Sequence, residues 1–449
     1  MTHPFLALTE SDREEMLRTI GVSSVDELFR DVPAGVRFGR ELDLERPLSE
    51  QELSAHLAEL AARNVDTTRE LSFLGAGIYD HYVPAVVDTV LQRGEFLTAY
   101  TPYQPEMSQG VLQSIFEYQT AICELTGMDV SNASGYDGET VAADACYIAK
   151  HATGKTKMVI TEATNPQVRQ VIKTYAPGFG LEVVEVPHRD GTTDPDDLAA
   201  AARDAAAVFF QQPNFFGCLE PAPELAAAAN DADALPIAHV DPLSLGMLEA
   251  PGRYGCAIAL GEGQAAGNVM AYGGPHYGFL AARQDFIRRM PGRIVGETVD
   301  TEGKRGYVLT LQTREQHIRR EKATSNITTN QTLLALGGLV YLTWLGPQGL
   351  REVGETCLAL AEHAKRRLQE RAGLELVFAD RPTFKEFAVR VGRNARDVVR
   401  DARALGVHPG YALGRDYEGM DDVLLVALTE KRTPEEIDRL ADVLAEVAR

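Results

Sequence analysis

The chain has 449 residues, a formal net charge of −21 at pH 7 and 45% hydrophobic residues. This length exceeds one typical domain, and the apolar content is ample for a buried core. So acidic a balance argues against a nucleic-acid-binding protein, which needs a basic face. With no apolar run of about 18 residues and no basic-then-apolar leader, we expect a cytoplasmic protein without a membrane span.

Cysteine and histidine patterns predict neither disulfides nor a metal site. The five cysteines lie far apart without a CxxC pair, which is typical of small buried apolar residues. His239 and Asp241 flank Val240 at a predicted strand end, but no other ligand cluster accompanies them. We therefore expect no metal.

The N-terminal 70 residues are predicted to form an amphipathic helical segment. Ser11 with Glu14, and Ser49 with Glu52, have the spacing of a capping box at a helix start. The next stretch, 71–110, is rich in Gly, Pro and Tyr and is predicted to be ordered loop. Helices are then expected at 109–127 and 138–153.

From residue 157 the pattern changes to short apolar runs about 20 to 30 residues apart, separated by helical stretches. This spacing is typical of β-α-β units and predicts a largely parallel sheet that is buried on both faces. The predicted strands are 158–160, 181–186, 207–210, 236–240, 256–260 and 279–282, with helices at 195–205 and 221–232 among them.

Beyond about residue 330 the pattern is mixed helix and strand. Thr433 and Glu436 have capping-box spacing around Pro434 at the start of a last helix. Strands are expected at 374–378, 386–390 and 423–428, with a helix near 394–405. We thus predict a helical N-terminal segment (1–70), a large α/β domain (71–330) and a small α+β C-terminal domain (331–449).

The most specific string is Tyr100–Gly110, which combines Tyr, Gln and Glu with two prolines just before a helix. Proline fixes φ and stiffens such a loop, and stiff loops often carry binding side chains. Tyr100, Tyr103 and Glu106 are therefore candidate site residues. A buried tyrosine corner is the alternative interpretation.

Three further strings place small or hydrogen-bonding residues at a turn or a helix start. Residues 132–140 lead straight into a helix, whose free N–H groups and dipole favour an anion. Residues 272–278 form a Gly-rich turn that allows close backbone approach. Residues 319–330 place Thr, Ser and Asn donors before a helix with cations upstream, which again fits an anion. An ordinary capped helix is the alternative for the first and last strings. The candidates are Gly273, Gly274, His276, Thr324, Ser325 and Asn326.

Lysine is absent between Lys173 and Lys304, a gap that contains most of the predicted sheet. The chain has only nine lysines against 35 arginines, so a general preference for Arg, as in a GC-rich genome, is the simplest cause. The position of the gap is therefore more informative than its length.

Together these strings resemble the N-terminal (alpha) subunit of glycine decarboxylase, the P-protein of the glycine cleavage system, over essentially the whole chain. Two positions depart from the family pattern. Asn165 precedes Pro166 where the family usually has His, and Thr328 stands where Cys is common. The strings that carry the resemblance are 100–110, 135–145, 272–278 and 292–330.

The resemblance implies the fold of pyridoxal-phosphate (PLP) transferases of fold type I, whose cofactor is anchored on a lysine near the end of the large-domain sheet. Because the lysine gap covers that sheet, the chain resembles the lysine-free subunit of glycine dehydrogenase (aminomethyl-transferring). The implied partners are a PLP-bearing beta subunit in an α2β2 assembly and a lipoylated H-protein. The assembly would decarboxylate glycine, release CO2 and pass the aminomethyl group to the lipoyl arm.

The same resemblance implies roles for the candidate residues. Tyr100, Tyr103 and Glu106 would line the active site across the subunit interface. The residues expected to contact the partner's PLP are Thr324, Ser325, Asn326, Gly273, Gly274 and His276.

Two other functions stay open at this point. One is a self-sufficient PLP enzyme, for which Lys304 and Lys322 are the nearby candidates for the anchor. The other is a non-catalytic scaffold or binding subunit of the same fold. Cofactor titration of the isolated chain tests the first, and co-expression with a lysine-bearing partner tests the second.

Overall fold

The computed structural model describes residues 5–323, 327 and 329–448, which fall into two compact units divided after Val65. The candidates Thr324, Ser325 and Asn326 lie outside the described residues. The predicted boundary between the large and C-terminal domains, at residue 330, stays a prediction.

The first unit contains two helices, α1 (Glu10–Ile20) and α2 (Glu50–Ala61). Helix α2 begins with the predicted capping box, in which Ser49 and Glu52 each accept from the other's backbone N–H. Among residues 5–65 none is buried. This unit therefore has no apolar core of its own.

The predicted capping box of α1 is wrong by two residues. Thr9 and Asp12 form the box, and Ser11 lies inside the helix. Thr9 has the extended backbone that an N-cap requires, with φ −83° and ψ 168°. Sequence spacing alone could not separate this pair from Ser11 and Glu14.

The second unit begins with the short strand β1 and two small helices, and from α5 onward helices and strands follow one another. Its elements up to residue 282 are β1 (Leu71–Ser72), α3 (Ala85–Leu91), α4 (Gly94–Leu97), α5 (Gln109–Thr126), β2 (Val130–Ser131), α6 (Gly138–Thr153), β3 (Lys157–Thr161), α7 (Pro166–Phe179), β4 (Glu182–Val186), β5 (His188–Arg189), β6 (Thr192–Thr193), α8 (Pro195–Ala202), β7 (Ala205–Gln212), α9 (Ala222–Asp231), β8 (Leu235–Val240), β9 (Ile258–Glu262) and β10 (Gly278–Ala282). The remaining elements are β11 (Ile294–Val299), β12 (Arg305–Thr310), α10 (Gln316–Arg319), α11 (Thr332–Arg367), β13 (Glu375–Leu376), β14 (Glu386–Arg390), α12 (Ala395–Ala404), β15 (Val407–His408), β16 (Tyr411–Ala412), β17 (Val423–Ala427) and α13 (Pro434–Val447).

A seven-stranded sheet in the order β2-β10-β9-β8-β7-β3-β4 forms the centre of this unit. The pairs β4–β3, β3–β7, β7–β8 and β8–β9 are parallel, whereas β10 is antiparallel to both neighbours. On β7, Phe209 packs in the core cluster with α6 and α7, while Val208 and Phe210 pack with α8 and α9. Helices on both faces explain the uninterrupted apolar runs and confirm the predicted α/β sheet.

A four-stranded antiparallel sheet, β13-β14-β17-β16, lies in the C-terminal part of the chain. Val389 and Val426 of this sheet share a core cluster with Val398 of α12 and Leu440 of α13. The predicted strand 374–378 is shorter than expected, since only β13 pairs there.

The predicted loop at 71–110 contains regular structure instead. Residues 71–110 include α3 and α4, whose 7 and 4 residues are too few to show a helical period among the flanking Gly and Pro residues. The hairpin of β11 and β12 was not predicted either. Two glutamines dock it on α5: Gln109 bonds both backbone groups of Tyr307 (2.8 and 2.9 Å), and Gln119 bonds both backbone groups of Val295 (3.0 and 2.9 Å).

Helix α11, continued to Ala372, is long and apolar enough to cross a membrane. However, Gly346 has non-helical φ and ψ (61° and −179°), so the helix is broken there. The apolar first part then has about 14 residues, fewer than the roughly 20 that a span needs. Because Ala335, Gly338 and Tyr341 are buried in protein, α11 is explained as a core helix.

We predict that Gln119→Ala lowers the free energy of unfolding by about 2–3 kcal/mol, because it leaves two buried backbone groups of Val295 without partners. Chemical denaturation of the purified chain measures this loss. Gln113→Ala is the matched control, since Gln113 lies on the same helix and bonds only Glu117 at the surface. Equal losses in the two variants would contradict the docking role of Gln119.

Candidate functional site

The carboxyl ends of the parallel strands meet at one edge of the large sheet. Open α/β sheets bind ligands at this edge. Here Gln211 and His239 lie one residue before the ends of β7 and β8, Asp241 follows β8, and Glu262 ends β9. These side chains line a cavity of only about 30 Å³, which has room for little more than a water molecule.

A lysine that immediately precedes β14 of the C-terminal sheet reaches this strand-end site and pairs with Asp241. The residue, Lys385, is 2% exposed, and its Nζ lies 2.6 Å from Oδ2 of Asp241. The same ammonium group lies 2.9 Å from Nε2 of His81 and 3.5 Å from the ring centroid of Tyr79. This lysine was not predicted, because the lysines considered as possible PLP anchors were Lys304 and Lys322.

The residues around Lys385 satisfy one another's hydrogen bonds. Burial and the nearby Lys385 lower the pKa of His81, and Glu430 opposes them. A neutral His81 can therefore accept from Lys385 at Nε2 and donate from Nδ1 to Glu430 at 2.6 Å. Glu386 accepts from the hydroxyl of Tyr79 at 2.7 Å, and burial raises the pKa of this carboxyl group to about 7.

His81, Cys357 and Glu430 place three ligand atoms within 4.8 Å of one another, close enough for a metal ion. Two features oppose a cation there. The ammonium group of Lys385 contacts His81, and burial raises the pKa of the Cys357 thiol to about 12, which disfavours a thiolate ligand. The residues therefore do not fit a metal.

The N-terminus of α6 is closed by carboxyl groups of the same chain. The N–H of Gly138 donates to Oε2 of Glu262 at 2.9 Å, and the N–H of Thr140 donates to Asp137 at 2.7 Å. A Cβ on Gly138 would approach the backbone of Glu262 to 2.8 Å, so this contact requires glycine. Burial raises the pKa of Glu262 to about 8, so at pH 7 this carboxyl group is mainly protonated and accepts the N–H without a negative charge. The position predicted for an anion at this helix start is thus filled from within.

A second group of polar residues lies at the predicted Tyr100–Gly110 loop. The hydroxyl of Tyr100 is 3.1 Å from Oγ1 of Thr329, and that of Tyr103 is 3.5 Å from Nη2 of Arg293. A cavity of about 170 Å³ between α5 and the start of α11 is lined by Tyr100, Arg293 and Thr329. Glu106 is exposed in the next turn, Pro105–Met107, and does not line this cavity.

Arg293 is 4% exposed and lies beside the buried carboxylate of Glu315. Its Nη1 donates to Asn330 at 3.3 Å, and Oε2 of Glu315 lies 3.9 Å from its Nε. His317 lies 3.7 Å from Glu315, and its ring meets that of Tyr103 edge-on at 5.2 Å. The string 292–330 carries part of the resemblance, but Arg293, Glu315 and His317 were not predicted as site residues. We refer to Tyr100, Tyr103, Arg293, Glu315, His317 and Asn330 as the Tyr103 cluster.

The Gly-rich turn is placed beside the start of α6. Gly273 and Gly274 have φ of 109° and 127°, conformations that favour glycine. His276 lies close to Asp137: burial lowers the pKa of this histidine, and the Asp137 charge opposes the shift. The charge of Asp137 thus associates His276 with the helix start.

Comparisons with known proteins agree over nearly the whole chain. A family model described as glycine cleavage system P-protein matches residues 3–444. The chain belongs to this family. A Moorella thermoacetica protein named probable glycine dehydrogenase (decarboxylating) subunit 1 is 51% identical over 437 residues, covering 97% of this chain and 98% of its own. A Bacillus subtilis protein of the same name is 48% identical over 447 residues, 99% of each chain.

Solved structures confirm the fold. The crystal structure of a glycine decarboxylase (P-protein) of the glycine cleavage system, in inhibitor-bound form, matches with a TM-score of 0.90 and 42% identity, covering 99% of this chain and 100% of that one. A Lactobacillus brevis glutamate decarboxylase, at 13% identity, covers 91% of this chain with a TM-score of 0.68. The predicted family and the predicted fold type I of PLP-dependent enzymes are therefore confirmed.

Asn165, where the resemblance leads us to expect His, has a structural role in this chain. Its side chain accepts from the N–H of Gln167 at 2.9 Å and so caps α7. Its Nδ2 also donates to the carbonyl oxygen of Ala76 at 3.2 Å. At position 165 the side chain therefore holds the strand-end loops together.

The strand-end residues of this chain do not fit PLP. The cofactor needs a carboxylate partner for its ring nitrogen and donors for its phosphate. Here Asp241 is already paired with Lys385, and the N-terminus of α6 is covered by Asp137 and Glu262. The remaining cavity of about 30 Å³ is far smaller than an ordinary ligand pocket. No reaction step is assigned to this site.

We predict that His239 makes the chain less stable in acid. Burial lowers the pKa of His239 to about 4, whereas the unfolded chain takes up this proton near pH 6.5. Stability is therefore lost as the pH falls from 6.5 to 4, by up to about 3 kcal/mol for this group. Denaturation at pH 7, 5.5 and 4 should show a smaller decline for His239→Gln. The exposed His56→Gln is the control, and parallel decline in all three proteins would refute the assignment.

Proposed function

We propose that this chain is the lysine-free subunit of glycine dehydrogenase (aminomethyl-transferring). With a PLP-bearing beta subunit it decarboxylates glycine, releases CO2 and transfers the aminomethyl group to the lipoyl arm of H-protein. The full-length similarity to relatives named subunit 1 supports this proposal. The observation that carries it is the combination of a cavity lined by Tyr100 and Arg293 on an exposed face with a strand-end site that has no room for PLP.

The Tyr103 cluster is proposed to complete the partner's active site across the subunit interface. Tyr100 is 77% exposed and Tyr103 47%, although both are aromatic and held by hydrogen bonds. Such ordered, exposed aromatic side chains are typical of binding faces. Glu106 follows on the same loop and adds an exposed carboxylate. When bound to the partner, PLP supplies the electron sink for the electrons left by the departing CO2.

The remaining candidates are proposed to approach the partner's cofactor from this chain. Thr324, Ser325 and Asn326 lie in sequence between Arg293 and Asn330, both of which belong to the Tyr103 cluster. Their hydroxyl and amide groups are suitable donors to a phosphate. Gly273, Gly274 and His276 are proposed as a second approach, through a turn whose backbone a Cβ does not obstruct.

The same proposal extends to assembly and location. The chain is expected in an α2β2 assembly with the beta subunit, in the cytoplasm, with lipoylated H-protein as a transient partner and without nucleic acid. Its division into segments 1–70, 71–330 and 331–449 is retained as part of the proposal. Gel filtration with multi-angle light scattering of the co-expressed subunits tests the stoichiometry.

A self-sufficient PLP enzyme is not favoured by the structure. Lys304 is 75% exposed in the turn between β11 and β12, where it pairs with Glu302 at 3.0 Å. The side chain of Lys322 lies outside the described part of the chain. Lys385 does reach the strand-end site, but it is paired with Asp241 and enclosed.

We predict that the chain alone forms no stoichiometric pyridoxyl-lysine when it is mixed with PLP and reduced with borohydride. Peptide mapping by mass spectrometry measures the label at each lysine. Glycine–bicarbonate exchange should require both subunits and H-protein. A single fully labelled lysine, with exchange by this chain alone, would establish the self-sufficient enzyme instead.

We predict that Tyr103→Phe lowers the turnover of the assembled enzyme about tenfold, the effect of losing a hydrogen bond of about 1.4 kcal/mol at the site. Tyr100→Phe and Glu106→Gln test the same face. Tyr175→Phe is the control, since Tyr175 is a comparably exposed tyrosine on α7. Unchanged turnover in all three site variants, with normal assembly, would make the loop purely structural.

A further inference from the structure

The strand-end site of this chain carries a buried cation that the proposed function does not use. Lys385 precedes β14 and is almost wholly buried, yet its ammonium group is not left without partners. It is held by Asp241 at 2.6 Å and His81 at 2.9 Å, above the ring of Tyr79. Burying a lysine is unfavourable unless a counter-charge and hydrogen bonds compensate for lost hydration. The site supplies both.

The location of this ion pair is informative. Asp241 follows β8 at the edge where open α/β sheets bind ligands, and a carboxylate there is the kind of group that pairs with the ring nitrogen of PLP. The cavity lined by Asp241 is also lined by Glu139 at the start of α6, where N–H groups without intrahelical partners form the natural anion position. Asp137 and Glu262 occupy them. Both polar positions of a bound cofactor are therefore filled by this chain.

We propose that Lys385 is an internal substitute for a cofactor. Its ammonium group takes the cation position beside Asp241, and carboxyl oxygens of Asp137 and Glu262 accept from the N–H groups at the start of α6, where an anion would bind, so that the strand-end site is held closed. The inference rests on this chain's own contacts, and it holds whether or not a partner subunit binds PLP.

The closed site also joins two parts of the second unit. Lys385 immediately precedes β14 and Glu430 follows β17 in the C-terminal sheet, whereas Asp241 follows β8 of the large sheet. Movement of the C-terminal sheet away from the large sheet would break both the ion pair of Lys385 with Asp241 and its hydrogen bond to His81. The substitution therefore makes this region rigid as well as closed.

A double-mutant cycle on the full chain tests the ion pair. Lys385→Met and Asp241→Asn should each lower the midpoint of thermal unfolding by several degrees, because each leaves one buried charge uncompensated. The double variant should recover at least half of the summed loss. Lys155→Met is the control, because Lys155 pairs at the surface with Asp233, and it should change the midpoint by less than one degree. Purely additive losses would overturn the proposal.

Chemical rescue tests the cation position directly. Lys385→Ala leaves a gap beside Asp241 that a primary alkylammonium ion can enter, so 20 mM propylammonium chloride should raise its unfolding midpoint. Tetramethylammonium chloride at the same concentration is the control for ionic strength, since it is too bulky and has no N–H donor. The wild-type chain should respond equally to the two salts. If Lys385→Ala also responds equally, the cation position does not exist.

A third measurement tests closure. Pyridoxine 5′-phosphate, which has no aldehyde and cannot react with lysine, is titrated into the wild-type chain by isothermal calorimetry up to 1 mM. No saturable binding at the strand-end site is expected. Stoichiometric binding that is abolished by Asp241→Asn would show an open site and overturn the proposal. This outcome is distinct from failure of the proposed function, which is judged by exchange activity with the partner.

Discussion

The fold around the strand-end site depends on keeping one buried positive charge compensated. Lys385 brings an ammonium group to the carboxyl edge of the large sheet, where the low dielectric makes an unpaired charge very unfavourable. Asp241 supplies the counter-charge. His81 must then remain neutral to accept from Lys385, which leaves its Nδ1 proton for Glu430. One buried lysine thus fixes the protonation state and orientation of its neighbours and ties the C-terminal sheet to the large one.

Local sequence patterns predicted the strands of the large sheet and several helices but not this constraint. Apolar runs such as Val208–Phe210 are visible in the sequence because the sheet is buried on both faces, and helix caps such as Ser49 depend on residues three positions apart. The contact of Lys385 with Asp241 joins segments far apart in the chain, and no periodicity relates them. A local signal did exist: Lys385 and Glu386 are charged residues at the edge of an otherwise apolar strand, and such charges need buried partners. The hairpin β11–β12 was also not predicted. It is held by Gln109 and Gln119 of α5, which lie far from it in the sequence.

The same difference separates the two parts of the Tyr103 cluster. Tyr100 and Tyr103 could be singled out because prolines on their own loop predict a rigid turn. Arg293, Glu315 and His317 come from separate turns of a long segment, and only the folded chain brings them to Tyr103. A buried Arg beside a buried Glu is not encoded by spacing. The resemblance pointed to the segment 292–330 as a whole. Which of its residues contact Tyr103 is visible only in the folded chain.

A chain whose own ligand site is closed can still require the whole fold, because its exposed face needs a rigid support. The Tyr103 cluster stands on α5, the β11–β12 hairpin and the start of α11. Gln109 and Gln119 hold the hairpin on α5 through paired backbone hydrogen bonds, as a neighbouring strand would. Side chains that act on a partner's substrate must be held to within about 0.5 Å by such packing. The large sheet then supports the exposed face. Side chains that fill its strand-end site leave only a small cavity there, which avoids the loss of stability that a larger cavity would cause.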